Sequence, residues 1–274
     1  MERAHLVDGK AKLKNLDPAE DGGLSKPKAQ ERTAKLLAEL YELQEMLFAA
    51  GSHALLIVLQ GMDTSGKEGA IGCLSKGMNV HGVQVSPFKQ PTSEELAHDF
   101  LWRIHQRTPG KGQVGIFNRS HYEDVLVVRV HELVPKDVWK GRYQRIREFE
   151  ENLLASNTII LKFFLHISKE EQEERLRARE EQPEKAWKLS LGDWKERALW
   201  DDYMEAYEDA LSKTSTKDAP WLVVPGNHKW YRDVVVVETV LEALRPYRAG
   251  WMRHLKEVGK KSLAEIEAFR SGSQ

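Results

Sequence analysis

The stretch ALLIVLQGMDTSGKEG, residues 54–69, passes from an unbroken apolar run into the pattern G-x-x-x-x-G-K. A short apolar run without polar alternation reads as a strand buried on both faces. A buried strand that breaks into this glycine-lysine pattern and then into a helix is a phosphate-cradling loop. Gly61 and Gly66 let the backbone turn tightly enough to aim successive N–H groups at phosphate oxygens. Lys67 adds a fixed charge, and the following helix adds its N-terminal dipole. The whole loop, Gly61, Thr64, Ser65, Gly66, Lys67, Glu68 and Gly69, is therefore expected to line bound phosphate. The Ser or Thr that usually follows the lysine as a Mg²⁺ ligand is absent, replaced by Glu68. A metal has to be held from elsewhere.

Outward from the loop, helices and strands alternate. Leu36, Leu37, Leu40, Leu43, Met46 and Leu47 recur at helical spacing and predict a long amphipathic helix from Ala29 to Ala50. A short strand is expected at 83–85, and a capped helix opens at Thr92-Ser93-Glu94-Glu95 and continues through Leu101-Trp102-Arg103 to a break at Pro109-Gly110. A third strand at 114–117 ends in NRSHYED (118–124). Helix is expected over 137–155, a buried strand from Thr158 to Ile167, and a charged helix over 169–180. After a break at 183–190, helix resumes from Asp193 to Lys213, then come a strand at 220–225, a helix over 229–244 and a terminal helix over 251–270. Residues 1–27 read as a polar arm lying on the domain.

This pattern predicts an α/β fold, a three-layer α/β/α sandwich with a central parallel sheet of about five strands. We expect one domain over 1–274, with an arm and helix at 1–50, a lid over 170–195 and a C-terminal helix at 249–274. In such sheets ligands sit at the carboxyl ends of the strands. Segments 61–69, 86–92, 118–124 and 225–229 all follow strand ends and should converge on one cleft.

Composition narrows the partners. The 274 residues carry 41 Lys+Arg against 42 Asp+Glu, so there is no basic excess for a nucleic-acid partner, and no recognition motif for one. No apolar run approaches membrane length, and the start has no signal-type apolar segment, so no membrane partner and a cytoplasmic location are expected. The single cysteine, Cys73, permits no internal disulfide, fits a reducing compartment and reads as a small core residue.

Acids beside phosphate repel it unless a cation bridges them. Asp63 inside the loop and Asp124 after the third strand are the leading metal-linked acids, with Glu123 next. Glu123 and Asp124 also read as early acids of a helix, a reading that leaves Asp63 unexplained. Candidate anion clamps are Arg119, Arg129, Lys89 and Lys76, together with Arg175, Arg177, Arg179, Lys185 and Lys188 of the lid segment. The lid basics equally fit a solvated helix with i,i+4 charge pairs. Trp187, between Lys185 and Lys188, is the aromatic to watch there, and His121 has no partner by spacing. Residue chemistry alone reaches Mg²⁺-dependent phosphoryl transfer.

The motifs GMDTSGKEG (61–69), SPFKQPT (86–92), HDFLWRIH (98–105), GIFNRSHYEDVLVVRVH (115–131), EKAWKLSLGDWKER (184–197) and APWLVVPGNHKWYR (219–232) resemble, in this order, those of the polyphosphate kinase 2 family. The resemblance runs from the helix near residue 30 to about residue 247. It implies a P-loop kinase type of fold with a helical lid, like thymidylate and adenylate kinases. It implies reversible transfer of the terminal phosphate of inorganic polyphosphate to a nucleotide with Mg²⁺, Mn²⁺ being the substitute metal. The form NRSHYED resembles the branch acting on both AMP and ADP. By match, Asp63, Lys67, Arg119, Asp124 and the lid arginine Arg179, with Arg175 as its rival, carry catalysis. Lys89 faces the phosphate chain, and Arg129 lies further along the helix of the second motif. Asn118, Glu123, Asp124, Lys185, Trp187 and Lys188 attend the nucleotide. Other branches carry Asp where Asn118 stands, which makes Asn118 a hydrogen-bonding positioner rather than a metal ligand. The expected partners are polyphosphate and an adenine nucleotide, with guanine as a further base, in a homodimer or homotetramer. An ATP-dependent nucleoside monophosphate kinase and a non-catalytic polyphosphate- or nucleotide-binding module are the alternatives.

Overall fold

The structure, a computed structural model, describes residues 4–181 and 190–272. In chain order its elements are β1 (His5–Leu6), α1 (Lys26–Ala50), β2 (Ala54–Gln60), α2 (Lys67–Ser75), β3 (Val83–Pro87), α3 (Ser93–Leu96), α4 (Trp102–His105) and β4 (Val114–Asn118). A 3₁₀ turn at His121–Val125 leads to α5 (Val127–Val130), α6 (Lys136–Ala155), β5 (Thr158–His166) and α7 (Lys169–Glu180). After the undescribed residues come α8 (Leu191–Ala198), α9 (Trp200–Thr214), β6 (Trp221–Pro225), α10 (Lys229–Leu244) and α11 (Arg248–Gly272).

The sheet has six strands in the order β1-β6-β5-β2-β4-β3. The five expected strands pair in parallel; the sixth, β1, comes from the N-terminal arm and runs antiparallel to β6. The arm is thereby stitched down, and the Leu13 amide donates to Glu208 Oε1 at 2.7 Å. Side-chain alternation divides the interior. Leu55, Ile57 and Leu59 of β2 pack with α1, α2 and α10, whereas Leu56 and Val58 pack with α6 and α9. With both faces covered, β2 is buried along its whole length, which is why it reads as a continuous apolar run.

Register sets the position of the site. Leu59 lies opposite Asn118 and Phe163, Pro87 opposite Asn118, and His166 opposite Pro225. The strand ends are therefore level, and the four expected segments share one edge. The chain passes from β4 on one side of β2 to β5 on the other, so the crevice opens directly after β2.

The helix expected from Thr92 to the break at Pro109-Gly110 is two single turns, α3 and α4, parted where the Asp99 carboxylate accepts from the Leu101 amide at 2.9 Å, and the one expected from Asp193 to Lys213 is two helices, broken at Leu199. The break at Leu199 separates two jobs. No residue of α8 is buried, whereas α9 buries Trp200, Tyr203, Tyr207 and Leu211 against the sheet. No helix among the described residues is long and apolar enough to cross a membrane.

One charged pair lies in the apolar interior. Lys162 of β5 is fully buried and donates from Nζ to Glu150 Oε2 at 2.6 Å and to the Thr214 carbonyl at 2.8 Å. Removing one partner strands the other charge away from water. Lys162→Met alone should therefore cost about 3–5 kcal/mol, seen as a lower urea midpoint at unchanged slope.

Candidate active site

The phosphate loop is built on strained geometry that only its sequence tolerates. Gly61 has φ +146°, and a Cβ there would come within 2.7 Å of the Leu165 carbonyl oxygen. Gly66 has φ +100°, and its Cβ would meet Arg232 Nη1 at 2.1 Å. Thr64, at φ +64°, holds a left-handed conformation without being glycine. The loop is braced from outside. Arg175 of α7 donates to the carbonyls of Thr64 (2.9 Å), Gly226 (2.7 Å) and Asn227 (2.9 Å), and Gln172 donates to the Asp63 carbonyl at 3.1 Å. The Lys67 ammonium folds across the loop and donates to the carbonyls of Gly61 (2.6 Å) and Met62 (3.1 Å). Burial, with the positive charge of Arg119 behind it, pushes its pKa down to about 8.

The end of β4 supplies the opposing wall. Arg119 has φ +62°, and its amide donates to the Leu59 carbonyl. Its fork then reaches in two directions, Nη2 to Asp63 Oδ1 at 2.5 Å and Nη1 to Glu123 Oε2 at 3.2 Å. The Glu123 and Asp63 charges hold the guanidinium firmly protonated against its burial. Asp193 of α8 lies near this pair and accepts from Arg179 Nη1 at 2.9 Å. Burial and the Asp63 charge raise its pKa.

Two clefts flank this cluster. The first, of about 840 Å³, is lined by Lys67, Arg119, Arg175, Arg179, Lys229 and Arg232, against the acids Asp63, Glu68 and Asp193. The second, of about 900 Å³, has apolar walls from Phe88, Pro91, Leu96, Val127, Leu133 and Val134, with Arg103 and Arg142 among its polar groups. Asp63, Arg119 and Asp193 line both. The first cleft suits an extended polyanion and the second a ligand with a flat apolar body and a charged end.

Several expected residues lie elsewhere. Asp124 lines only the second cleft, and its carboxylate accepts from Arg142 Nη1 at 2.8 Å rather than turning toward Asp63. Burial outweighs that arginine and pushes its pKa to about 6. Asn118 lines the first cleft, not the one that holds Glu123 and Asp124. Lys89 lines the second cleft, not the cationic first one. Arg129 lines neither; it donates to Asp209 at 2.7 Å and Glu205 at 2.5 Å and stacks over Trp139. Lys76 is absent from both clefts, at the C-terminal end of α2. Arg175 lines the first cleft but gives its guanidinium to backbone carbonyls, so it braces the loop. Lys185, Trp187 and Lys188 lie outside the described residues. His121 does have a partner, Glu150, 29 residues further on.

Sequence reasoning missed Asp193, Lys229, Arg232, Arg103 and Arg142. Lys229 closes the singled-out segment 225–229 but was not named within it, and extending that segment by three residues would have found Arg232. Asp193 sits in a helix's first turn and reads there as a cap.

A phosphate loop facing arginines and carboxylates at the carboxyl edge of a parallel sheet places the protein in the P-loop class of phosphoryl-transferring enzymes. The polyphosphate kinase 2 (PPK2) family model matches residues 23–249. A protein of Meiothermus ruber named AMP/ADP-polyphosphate phosphotransferase is 53% identical over 241 residues, covering 86% of this chain and 90% of its own. An ADP-polyphosphate phosphotransferase of Rhodopseudomonas palustris is 44% identical over 239 residues, 83% of each chain. The crystal structure of polyphosphate kinase 2 from Arthrobacter aurescens superposes with a TM-score of 0.86 at 46% identity, covering 88% of this chain and 87% of that one. The chain belongs to the polyphosphate kinase 2 family and is a transferase.

Proposed function

We propose that the protein transfers the terminal phosphate of inorganic polyphosphate to AMP and ADP, reversibly. The observation that carries this is the meeting of two clefts at Asp63, Arg119 and Asp193. A polyphosphate chain lies in the cationic cleft with its end against the loop N–H groups, Lys67 and Arg119. The nucleotide enters from the other side, its base against the apolar walls and its phosphate toward the shared residues. The acceptor oxygen attacks in line, and Arg119 with Arg179 neutralises charge building on the transferred group. No residue is phosphorylated on the way.

Asp63 and Glu123 fit a Mg²⁺ ion. Their carboxylates converge on one guanidinium, and among the described residues no group of three or more His, Cys, Asp or Glu forms a complete protein cage. Mg²⁺ binds through one or two carboxylates plus phosphate oxygens and water, so such a pair suffices. When bound, the ion neutralises phosphate charge and orients the chain end. Asp124, engaged with Arg142, is assigned to nucleotide positioning instead.

Lys67 gives the reading a pH signature. A pKa of about 8, below the ordinary 10.5, means that the ammonium is lost as pH rises through 8. Affinity for polyphosphate in titration calorimetry should weaken between pH 7.5 and 9, before ordinary lysines titrate. Constant affinity across that range would remove Lys67 from the phosphate site.

The lone cysteine fits a reducing cytoplasm. Leu263, Ile266 and Phe269 on the exposed face of α11 support assembly into a homodimer or homotetramer. The donor is tested by incubating the protein with Mg²⁺ and AMP or ADP, offering polyphosphate or ATP, and resolving products by chromatography. ADP and ATP formed from polyphosphate are expected. Product from ATP alone would move the protein to the ordinary nucleotide kinases, and no product from either donor would leave a binding module.

A further inference from the structure

Beneath the turn that carries Arg119 and Glu123 lies a polar network that the transfer chemistry does not use. Tyr122, fully buried, points into the core while Arg119 and Glu123 point to the clefts. Its hydroxyl donates to Glu150 Oε1 at 2.7 Å and accepts from Lys162 Nζ at 3.1 Å. Lys162 completes its three donations at Glu150 Oε2 (2.6 Å) and the Thr214 carbonyl (2.8 Å). His121, which burial keeps neutral, places Nε2 3.3 Å from Glu150 Oε1. Four parts of the chain meet here: the turn, α6, β5 and the last residue of α9.

An ion pair so deep gives little net stability against apolar residues of the same size, because desolvation offsets its attraction. What a buried hydrogen-bonded network does supply is a single geometry, and here the Tyr122 hydroxyl, both Glu150 oxygens and the Lys162 ammonium are all paired, while His121 Nδ1 at its edge is not. This one ties two cleft-bearing elements to one point. The turn carries Arg119, Glu123 and Asp124, and α9 carries Tyr203 and Tyr207 of the second cleft. A second tether acts on the same turn: Ser120 Oγ accepts from Gln60 Nε2 at 3.0 Å, at the end of the strand that enters the phosphate loop.

We propose that Tyr122, Glu150 and Lys162 form a positioning triad for the transfer reaction, holding the Arg119–Glu123 turn in register with the phosphate loop and with α9. The proposal rests on the functional reading above. Phosphoryl transfer depends on alignment, and a displacement of about 1 Å at the reacting groups costs on the order of 10²-fold in rate.

The test is Tyr122→Phe in the full chain, which deletes one oxygen and leaves the ion pair in place. Turnover should fall ~10- to 100-fold, with KM for polyphosphate and for nucleotide each within about threefold and a cooperative thermal transition retained. Arg119→Lys should cost clearly less in the Tyr122→Phe background than in the unmodified chain, because its aim is already lost. Glu150→Gln/Lys162→Met removes both charges together, strands neither, and should give the same loss if Tyr122→Phe does not fold. A folded variant turning over within twofold of the unmodified chain, or full additivity with Arg119→Lys, overturns the positioning role. An unmodified chain inactive with polyphosphate overturns the functional reading, and the positioning role with it.

Discussion

Arg119→Lys should lower turnover by ~10³-fold or more while the protein stays folded. The guanidinium spans two carboxylates, Asp63 at 2.5 Å and Glu123 at 3.2 Å, from the point where both clefts meet. Lysine keeps the charge but is a single point without a fork, so it cannot hold both acids and face a transferred phosphoryl group. Both residues carry a Cβ, so the strain of the φ +62° backbone is the same in the variant and does not confuse the comparison. Arg119 is partly exposed, and losing its pairs should change stability by about 1 kcal/mol or less. Turnover from product formation and a thermal melt on the same sample separate the two effects. A loss of less than tenfold would take Arg119 out of the reaction.

Asp63→Asn is expected to cost ~10²–10³ in turnover, the equivalent of losing several kcal/mol of charge stabilisation. Asparagine is nearly isosteric and keeps an oxygen for Arg119, so the variant deletes charge and little else. The Mg²⁺ concentration for half-maximal rate should rise as well. Asp124→Asn should leave that concentration nearly unchanged, because Asp124 faces Arg142 and lines only the second cleft. Near-normal turnover of Asp63→Asn at matched Mg²⁺ would remove the metal assignment.

What the sequence made legible was local. The phosphate loop, the apolar strand before it and the alternation of helices and strands each depend on neighbouring residues and appear, although the helices expected after Thr92 and from Asp193 to Lys213 are each broken in two. The level strand ends followed from topology, which brought Asp63 and Arg119 together across 56 residues. Side-chain aim was not legible. Arg129 looked like an anion clamp by its place after NRSHYED, yet Asp209 and Glu205 of α9 draw it away from the clefts. Asp124 shares a motif with Glu123 but leans toward Arg142, a residue of α6 with no motif of its own. β1 is two residues long, too short for any periodicity. One signal was available and unused. Lys162 stands inside an otherwise apolar strand, and a charge there requires a buried partner. Following that demand leads to Glu150 and Tyr122.

The arrangement of two clefts around shared residues requires donor and acceptor to be bound together. Initial rates measured over a matrix of polyphosphate and AMP concentrations, with Mg²⁺ saturating, should give intersecting double-reciprocal lines. Parallel lines, with labelled phosphate retained on the protein after exposure to polyphosphate alone, would show a phosphorylated enzyme and contradict direct transfer between the two clefts.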